Sequence, residues 1–450
     1  MMNFDTLKAR GLFDERLPRY TSYPPAPAFS ADIGHAFQAE ALAALDPNAP
    51  ISLYLHIPFC ERLCWFCACR TQGVRSLTPV QAYLETLRRE LALIATHQPR
   101  KLRVKQMHWG GGTPTILPPA LIREVSDMLG EVFVLDTDTT FSVEIDPTLV
   151  DADKIAALKD AGMTRASIGV QDFAPLVQKC IGRLQSYEQT LEAVEMLRAA
   201  QVASLNVDLV YGLPFQSTEG FAQTLHQVNT LRPDRVALFG YAHVPHMAKR
   251  QSLIPEASLP GDRARFTLFN KATELLCADG MEAIGIDHFA RPDDSMARAA
   301  RDGTLRRNFQ GYTVDGCDTL LGLGASSISR FKEGFVQNAA QTGDYTRQIN
   351  SGELAGVRGY RLTSEDRLRG RIIEMLMCDF AIDFKELNMN DVDRARIKPA
   401  VDALRRECDG MIVETQDRLS LSPQARPLVR RLAHFFDASN PAHAGYSRVS

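Results

Sequence analysis

The chain has 450 residues, room for one barrel of roughly 250 residues with appendages or for about three average domains. With 51 Lys and Arg against 54 Asp and Glu the net charge is −3, which removes any global electrostatic argument for nucleic acid or an anionic membrane and leaves only local charged sites. Apolar residues at 45% and charged ones at 23% exclude a chain disordered or fibrous as a whole, and no run approaches the ~18 apolar residues of a membrane span.

Residues 1–48 mix charges with Pro and Ala and carry no apolar secretory stretch, so a cytoplasmic setting is expected. Within them Arg19-Tyr20-Thr21-Ser22-Tyr23-Pro24-Pro25 favours an extended path, and the segment is expected to be an arm lying on the core. From residue 51 short β-rich runs alternate with longer amphipathic ones. Strands are predicted at Ile51 to His56, Val104 to Trp109, Thr140 to Ile145, Arg165 to Val170, Leu205 to Val210 and Arg235 to Phe239. Helices are predicted at Val80 to His97, Pro119 to Leu129, Ala152 to Ala161, Tyr187 to Ala200, Thr218 to Leu231 and Asp262 to Asp279.

Strands separated by long crossovers pair in parallel, and right-handed βαβ units repeated along a chain form a barrel or a doubly wound sheet. Six such units give an α/β fold, a partial (β/α)6 barrel over 49–335. From residue 360 the pattern becomes helix, helix, a hairpin through Met411 to Glu414 and Leu419 to Leu421, and a helix to Phe436. That is the grammar of a mainly helical, winged-helix-like C-terminal domain, assigned to 336–450, with a polar tail after Asp437 that frays.

Nine cysteines is an odd count, and five of them are scattered, so a disulfide scaffold is not expected. The other four crowd into ten residues as Cys60, Cys64, Cys67 and Cys69, in a loop that starts where the first strand ends. Spacing of the type C-x3-C-x2-C lets three thiolates take three corners of a cubane iron–sulfur cluster and leaves one iron open to a small molecule. A zinc knuckle, lacking a second distant cysteine pair, and a closed four-cysteine cluster recruiting Cys69 stand beside that reading.

The other strand ends are polar or Gly-rich: Gly110-Gly111-Gly112-Thr113-Pro114-Thr115, Glu144-Ile145-Asp146-Pro147, Gln171-Asp172, Asp208 and Tyr241-Ala242-His243. Parallel strands put all of them on the same face as the cysteine loop. The triple glycine allows close backbone approach to a ligand or makes a tight turn, and no Gly-Lys-Ser/Thr follows to make it a phosphate loop. Glu144 and Asp208 suit ribose hydroxyls or a cationic amine, or cap helices. Arg183 could fork onto a carboxylate or lie on the surface. His56 and His243 are read as structural donors, and no residue is assigned a catalytic role.

The cysteine motif resembles that of the radical S-adenosylmethionine enzymes. Within them Phe66-Cys67-Ala68-Cys69 resembles the oxygen-independent coproporphyrinogen III oxidases, as do Arg19 to Pro24, Trp109 to Thr115, Val143 to Pro147, Gly169 to Phe173, Asp208 to Pro214, Tyr241 to Pro245, Asp287 to Asp294 and Asn308 to Thr313. The resemblance covers roughly residues 19–330. It implies a [4Fe-4S] cluster on Cys60, Cys64 and Cys67, and S-adenosylmethionine contacted by Tyr54, Gly111, Glu144, Ala242 and Ile328. It also implies a second S-adenosylmethionine met by Phe66, Gly112, Thr113, Gln171, Arg183 and Asp208. Cys69 matches a family cysteine outside the cluster ligands. Trp65, Ala68, Gly182 and Leu184 depart from the family pattern, the last two beside Arg183.

What the resemblance implies is oxidative decarboxylation of two propionates of coproporphyrinogen III in haem biosynthesis, by a monomer served by a reductase or flavodoxin-like electron donor, with no nucleic acid and no membrane span. The substrate's carboxylates call for arginine at the barrel mouth, with Arg19 and Arg291 as candidates. Radical enzymes acting on haem, a haem chaperone relative, and a DNA-binding protein using Arg394, Arg396, Arg405, Arg406, Arg426, Arg430 and Arg431 are the competing expectations.

Overall fold

Apolar residues at alternate positions of Ile51-Ser52-Leu53-Tyr54-Leu55-His56-Ile57 suit a strand that turns one face to an apolar core and the other to polar side chains. The structure, a computed structural model that describes residues 3–439, makes this strand β1 (Ile51–Ile57) near the middle of a twelve-stranded sheet. To one side follow β2 (Val104–Gly111), β3 (Thr140–Ile145), β4 (Met163–Gln171), β5 (Ser204–Tyr211) and β6 (Arg235–Gly240), each parallel to its neighbour. Beyond β6 two short antiparallel strands, β7 (Glu282–Ile284) and β8 (His288–Ala290), end the sheet in the order β6, β8, β7.

On the other side of β1 lies β9 (Leu320–Leu323), a seventh parallel strand that the sequence pattern does not mark. It leads antiparallel to β10 (Ile328–Phe331), β11 (Gly334–Asn338) and β12 (Gly356–Arg361). Edge strands β12 and β7 are not paired to each other, so the barrel stays open. The sheet therefore runs past residue 335: the expected boundary falls inside β11, and β12, reached through the helix Thr342–Asn350, is the sheet's edge strand.

Crossover helices cover the outside: α1 (Thr78–His97), α2 (Pro119–Val132), α3 (Ala152–Asp160), α4 (Tyr187–Ala199), α5 (Thr218–Thr230) and α6 (Asp262–Ala278). Their starts are chemically marked. Asp151 accepts from the Lys154 N–H at 2.8 Å, Ser217 from Gly220, and Ser186 with Gln189 forms a capping box. In α2 the helical spacing of Ile122, Val125, Leu129 and Val132 turns one face to the sheet. The inner layer includes Leu55, Trp109, Val143, Ile168 and Leu209, all fully buried.

The arm differs from a plain extended segment, because Phe4–Ala9 and His35–Ala43 are helical. Phe4, Leu7, Phe13, Tyr20 and Tyr23 form one core with Ile372, Leu376, Leu404, Leu428 and Phe436 of the C-terminal unit, against Phe266 of α6. Tyr20 donates its hydroxyl to Asp437 at 3.0 Å, and the Ala438 N–H donates to the Tyr23 hydroxyl at 3.0 Å.

The C-terminal unit has helices Ser364–Asp379, Asp391–Glu407 and Val429–His434 beside a three-stranded antiparallel sheet of Ala381–Asp383, Ile412–Glu414 and Arg418–Leu421. Its arginines do not present one cationic face: Arg405 pairs with Asp402 and Glu414, Arg396 faces Glu365 and Asp393, and Arg430 is buried. Most of the tail after Asp437, residues 440–450, lies outside the described residues. Among those described, no helix is long and apolar enough to cross a membrane.

Candidate active site

The loop that leaves β1 is built like a shelf. Phe59–Cys60 pairs with Gln72–Gly73, the Gly112 N–H donates to Ile57 O at 2.8 Å and the Thr113 N–H to Phe59 O at 2.8 Å, so the cysteine loop is laid directly on the glycine turn after β2. That approach requires glycine: a Cβ on Gly112 would stand 2.5 Å from Phe59 O, and Gly111 has φ +106°. On the far side the Trp65 N–H donates to Ile181 O at 2.8 Å.

Three sulfurs receive donors. The Thr113 hydroxyl donates to Cys60 Sγ at 3.5 Å, the Arg183 guanidinium to Cys64 Sγ at 3.5 Å, and the Cys69 N–H to Cys67 Sγ at 3.4 Å. Hydrogen bonds to the Cys67 sulfur from the Cys69 thiol and backbone outweigh burial and pull the Cys67 thiol below its ordinary value, while the same contact raises Cys69. Burial pushes Cys60 up to about 11. Cys69 is exposed, whereas Cys60, Cys64 and Cys67 are partly or wholly covered.

This donor set fits a cubane. Three thiols stand on one short loop, each sulfur with its own N–H or O–H donor, the kind of contact that orients cluster ligands and tunes their potential. A cubane takes each thiolate on a separate iron, so its sulfurs stand farther apart than the ligands of a single ion. Among the described residues no three His, Cys, Asp or Glu side chains converge as a single ion would require.

Around the shelf the strand ends supply polar groups. Glu144, at the end of β3, accepts from the Gly111 N–H at 3.1 Å and meets His108 Nε2 at 3.3 Å. Burial pushes its carboxyl up, but the His108 contact and the Gly111 N–H bring it below the ordinary range, so it stays anionic beside the glycine turn. The Tyr54 ring stacks on His108 at 5.8 Å, and its hydroxyl pairs with His56 Nδ1 at 3.0 Å. Tyr54 is in register with Gly322, where a Cβ would stand 2.9 Å from the Ile328 backbone, which brings Ile328 to this corner.

A second corner holds Arg183, Gln171 and Asp208. Arg183 is buried, which removes the surface reading. It donates to Gly169 O at 2.8 Å and pairs at 3.4 Å with Asp146, which also faces Arg62 at 3.6 Å. A Cβ on Gly169 would stand 3.0 Å from the Gln171 amide and 3.1 Å from Arg183. Gln171 itself lies at φ +68°. Asp208 accepts from Ser167 at 2.9 Å and Asn206 at 2.7 Å, and its carboxyl is raised by burial and by the Glu144 charge.

Phe66 and Ala242 are joined by a residue that carries no sequence signal. The Gln251 amide donates to Phe66 O at 2.9 Å and to Ala242 O at 3.1 Å, tying the cysteine loop to the turn after β6. Nothing in the sequence marks His108 or Asp146 as a partner either, although Asp146 stands two residues from Glu144. Of the two arginine candidates, Arg19 reaches Gly240 O at 3.2 Å, while Arg291 is held by Asp279 at 2.5 Å and lies away from the mouth. His56 and His243 are both hydrogen-bonded to tyrosine hydroxyls, His243 at 2.8 Å to Tyr241.

An open parallel sheet carrying a three-cysteine loop and a glycine turn at its strand ends defines a radical S-adenosylmethionine enzyme, and the model of the radical SAM superfamily matches residues 54–228. The chain is 53% identical over 452 residues to the oxygen-independent coproporphyrinogen III oxidase of Cereibacter sphaeroides, covering 100% of both. It is 48% identical to that of Paracoccus denitrificans, covering 98% of each. The solved structure of coproporphyrinogen III oxidase from Escherichia coli, a radical SAM enzyme, matches with a TM-score of 0.88 at 37% identity over 93% of this chain and 97% of that one. The chain belongs to the oxygen-independent coproporphyrinogen III oxidase family.

Proposed function

We propose that this chain converts two propionate side chains of coproporphyrinogen III to vinyl groups, giving protoporphyrinogen IX in haem biosynthesis. What carries the reading is the cysteine loop laid on the Gly110–Gly112 turn at the open end of a parallel sheet, in a chain alike over its whole length to oxidases of that name. A [4Fe-4S] cluster and S-adenosylmethionine held by these residues would supply hydrogen-atom abstraction from a propionate, with one electron drawn from the reductase and, as carbon dioxide is lost, one electron passed on to an acceptor.

The protein's share is to hold and exclude. Cys60, Cys64 and Cys67 are the ligands in this reading, with Thr113 and Arg183 donating to their sulfurs. Glu144, anionic at the glycine turn, suits the ammonium group of S-adenosylmethionine, and Tyr54, Gly111, Ala242 and Ile328 frame the same molecule. Phe66, Gly112, Thr113, Gln171, Arg183 and Asp208 would hold a second S-adenosylmethionine, whose carboxylate suits the buried Arg183. An electron-donating reductase or flavodoxin-like partner, a monomeric state and a cytoplasmic setting complete the reading.

The test is anaerobic reconstitution followed by incubation with S-adenosylmethionine, a reductant and coproporphyrinogen III. Methionine and 5′-deoxyadenosine formed together with a divinyl product support the reaction. The same cleavage with only haem consumed would replace it by the haem-directed alternative.

A further inference from the structure

Beside the cysteine loop, and distinct from the corners described so far, lies a cavity of about 630 Å3 between the ends of β5 and β6, helix α6, the arm and the C-terminal unit. Its size falls within the roughly 300–1,000 Å3 of small-molecule sites. It is contiguous with the cofactor corner, because Ala242, tied through Gln251 to Phe66, lines it. Aromatic and aliphatic side chains such as Phe13, Phe266 and Phe289 make up much of its wall.

The charge on that wall is lopsided. Arg16, Arg19, Arg265, Arg426 and Arg430 line the cavity against three carboxylates, Glu256, Asp262 and Asp287. Asp287 pairs with His288 at 2.7 Å and also offsets part of the Arg19, Arg307 and Arg430 charge. The arginines are held in place rather than loose. Arg19 donates to Gly240 O at 3.2 Å, and the buried Arg430 donates to the carbonyls of Leu17 and Pro18. Arg265 lies 5.4 Å over the Tyr211 ring, against Gly212 and Gly240, where side chains would collide with it or crowd it.

Behind them Arg307, itself buried, donates to Arg19 O at 3.2 Å, and two of its nitrogens have no hydrogen-bond partner. Burial, with the Arg19 and Arg307 charges close by, pulls Arg430 down to about 9. Several like charges close together in a partly apolar cavity favour an anionic ligand over a neutral one.

We propose that this cavity seats the macrocycle of the substrate. Arg19, Arg265 and Arg430 grip the carboxylates of propionates that are not reacting, while the reacting propionate extends past Ala242 toward the cysteine loop. The assignment rests on the proposed reaction for the identity of its ligand. Both kinds of wall then have a partner on the ligand, since apolar side chains face the tetrapyrrole and fixed forks face its acidic rim. The same placement selects Arg19 over Arg291.

The probe is coproporphyrin III, the fluorescent oxidised form with the same four carboxylates, titrated into the reconstituted full chain. The tetramethyl ester of coproporphyrin III, the same macrocycle with its carboxylates masked, is the comparison. Arg19→Gln and Arg265→Gln are each expected to weaken coproporphyrin III binding by roughly ten-fold or more and to narrow its margin over the ester. Arg19→Lys should fall between wild type and Arg19→Gln, and KM for coproporphyrinogen III should rise more than kcat falls. Binding of S-adenosylmethionine by the variants should match wild type, which checks that the sheet is intact.

Equal loss of both porphyrins would mean a structural role and overturn the assignment. Divinyl product from wild type, with variants that bind and turn over at wild-type KM, would overturn the cavity assignment alone. No product from wild type, whatever the variants do to binding, would overturn the reaction on which it rests.

Discussion

Arg183 and Cys64 are 119 residues apart in sequence, yet the guanidinium donates to the sulfur at 3.5 Å while pairing with Asp146 at 3.4 Å. One buried cation thus links the loop after β1 to the strand ends of β3 and β4. Removing the Asp146 carboxylate would leave Arg183 and Arg62 uncompensated in a covered site. Asp146→Asn is expected to destabilise the chain by about 3–5 kcal/mol, read as a fall in the chemical-denaturation midpoint. Asp146→Asn combined with Arg183→Met should cost less than the sum of the two single changes.

Replacing Cys60, Cys64 or Cys67 by Ala should abolish retention of iron and sulfide after anaerobic reconstitution. Cys69→Ala should retain both, because its exposed thiol contributes a hydrogen bond to Cys67 and not a ligand. Iron and sulfide analysis with the visible absorption spectrum decides between a three-cysteine and a four-cysteine site.

Gly112→Ala places a methyl group against Phe59 O of the cysteine loop and Ile57 O at the end of β1, both backbone atoms. Backbone cannot swing aside as a side chain does, so the loop must lift from the glycine turn. The expected result is a loss of about 1–3 kcal/mol in stability and weaker S-adenosylmethionine binding, followed by thermal unfolding and calorimetry.

Glu90 on α1 is fully buried and accepts from the Gly324 N–H, the Tyr345 hydroxyl and the Asn338 amide, each at 2.8 Å. Burial outweighs these bonds and pushes its carboxyl up to about 7 from 4.5. Between those two pH values the folded chain keeps a proton that the unfolded chain releases. Stability from this group is therefore fullest below about pH 4.5 and falls as pH rises to about 7, by roughly 3 kcal/mol in all. Denaturant titrations between pH 5 and pH 8 should show that slope in the wild type and lack it in Glu90→Gln.

Phe13 in the arm packs 4.7 Å from Phe4 and 6.3 Å from Phe266, joining the arm to α6 and the C-terminal unit. Phe13→Ala should cost about 3–5 kcal/mol by opening a cavity in that shared core. Hydrogen exchange should show the loss concentrated in residues 4–23 and 364–436, with β1–β6 still protected.

The parallel strands are legible because each is an apolar run closed by a turn signal, and the crossover helices because their faces repeat at helical spacing. Strand β9 gives a weak signal because Leu320-Leu321-Gly322-Leu323 is short and broken by glycine, and β11 and β12 lie across the boundary that the change of pattern suggests. The arm's helix His35–Ala43 is hidden because it buries Phe37, Ala41 and Leu42 on a sheet whose position local sequence does not contain.

At the site, cysteine density and strand-end polarity announce where chemistry belongs. Gln251 gives no such notice, since its contact to Phe66 spans 185 residues. The arginines at 19, 265 and 430 are likewise unrelated in sequence and become one feature only when the chain has folded.

That cavity wall draws on Arg16 and Arg19 from the start of the chain and on Arg426 and Arg430 from near its finish. During synthesis the sheet can pair as its strands emerge, but the chamber acquires its last side only once residue 430 has cleared the ribosome tunnel. A chain cut short before the final helix therefore lacks one wall of the chamber while keeping every residue of the cysteine loop.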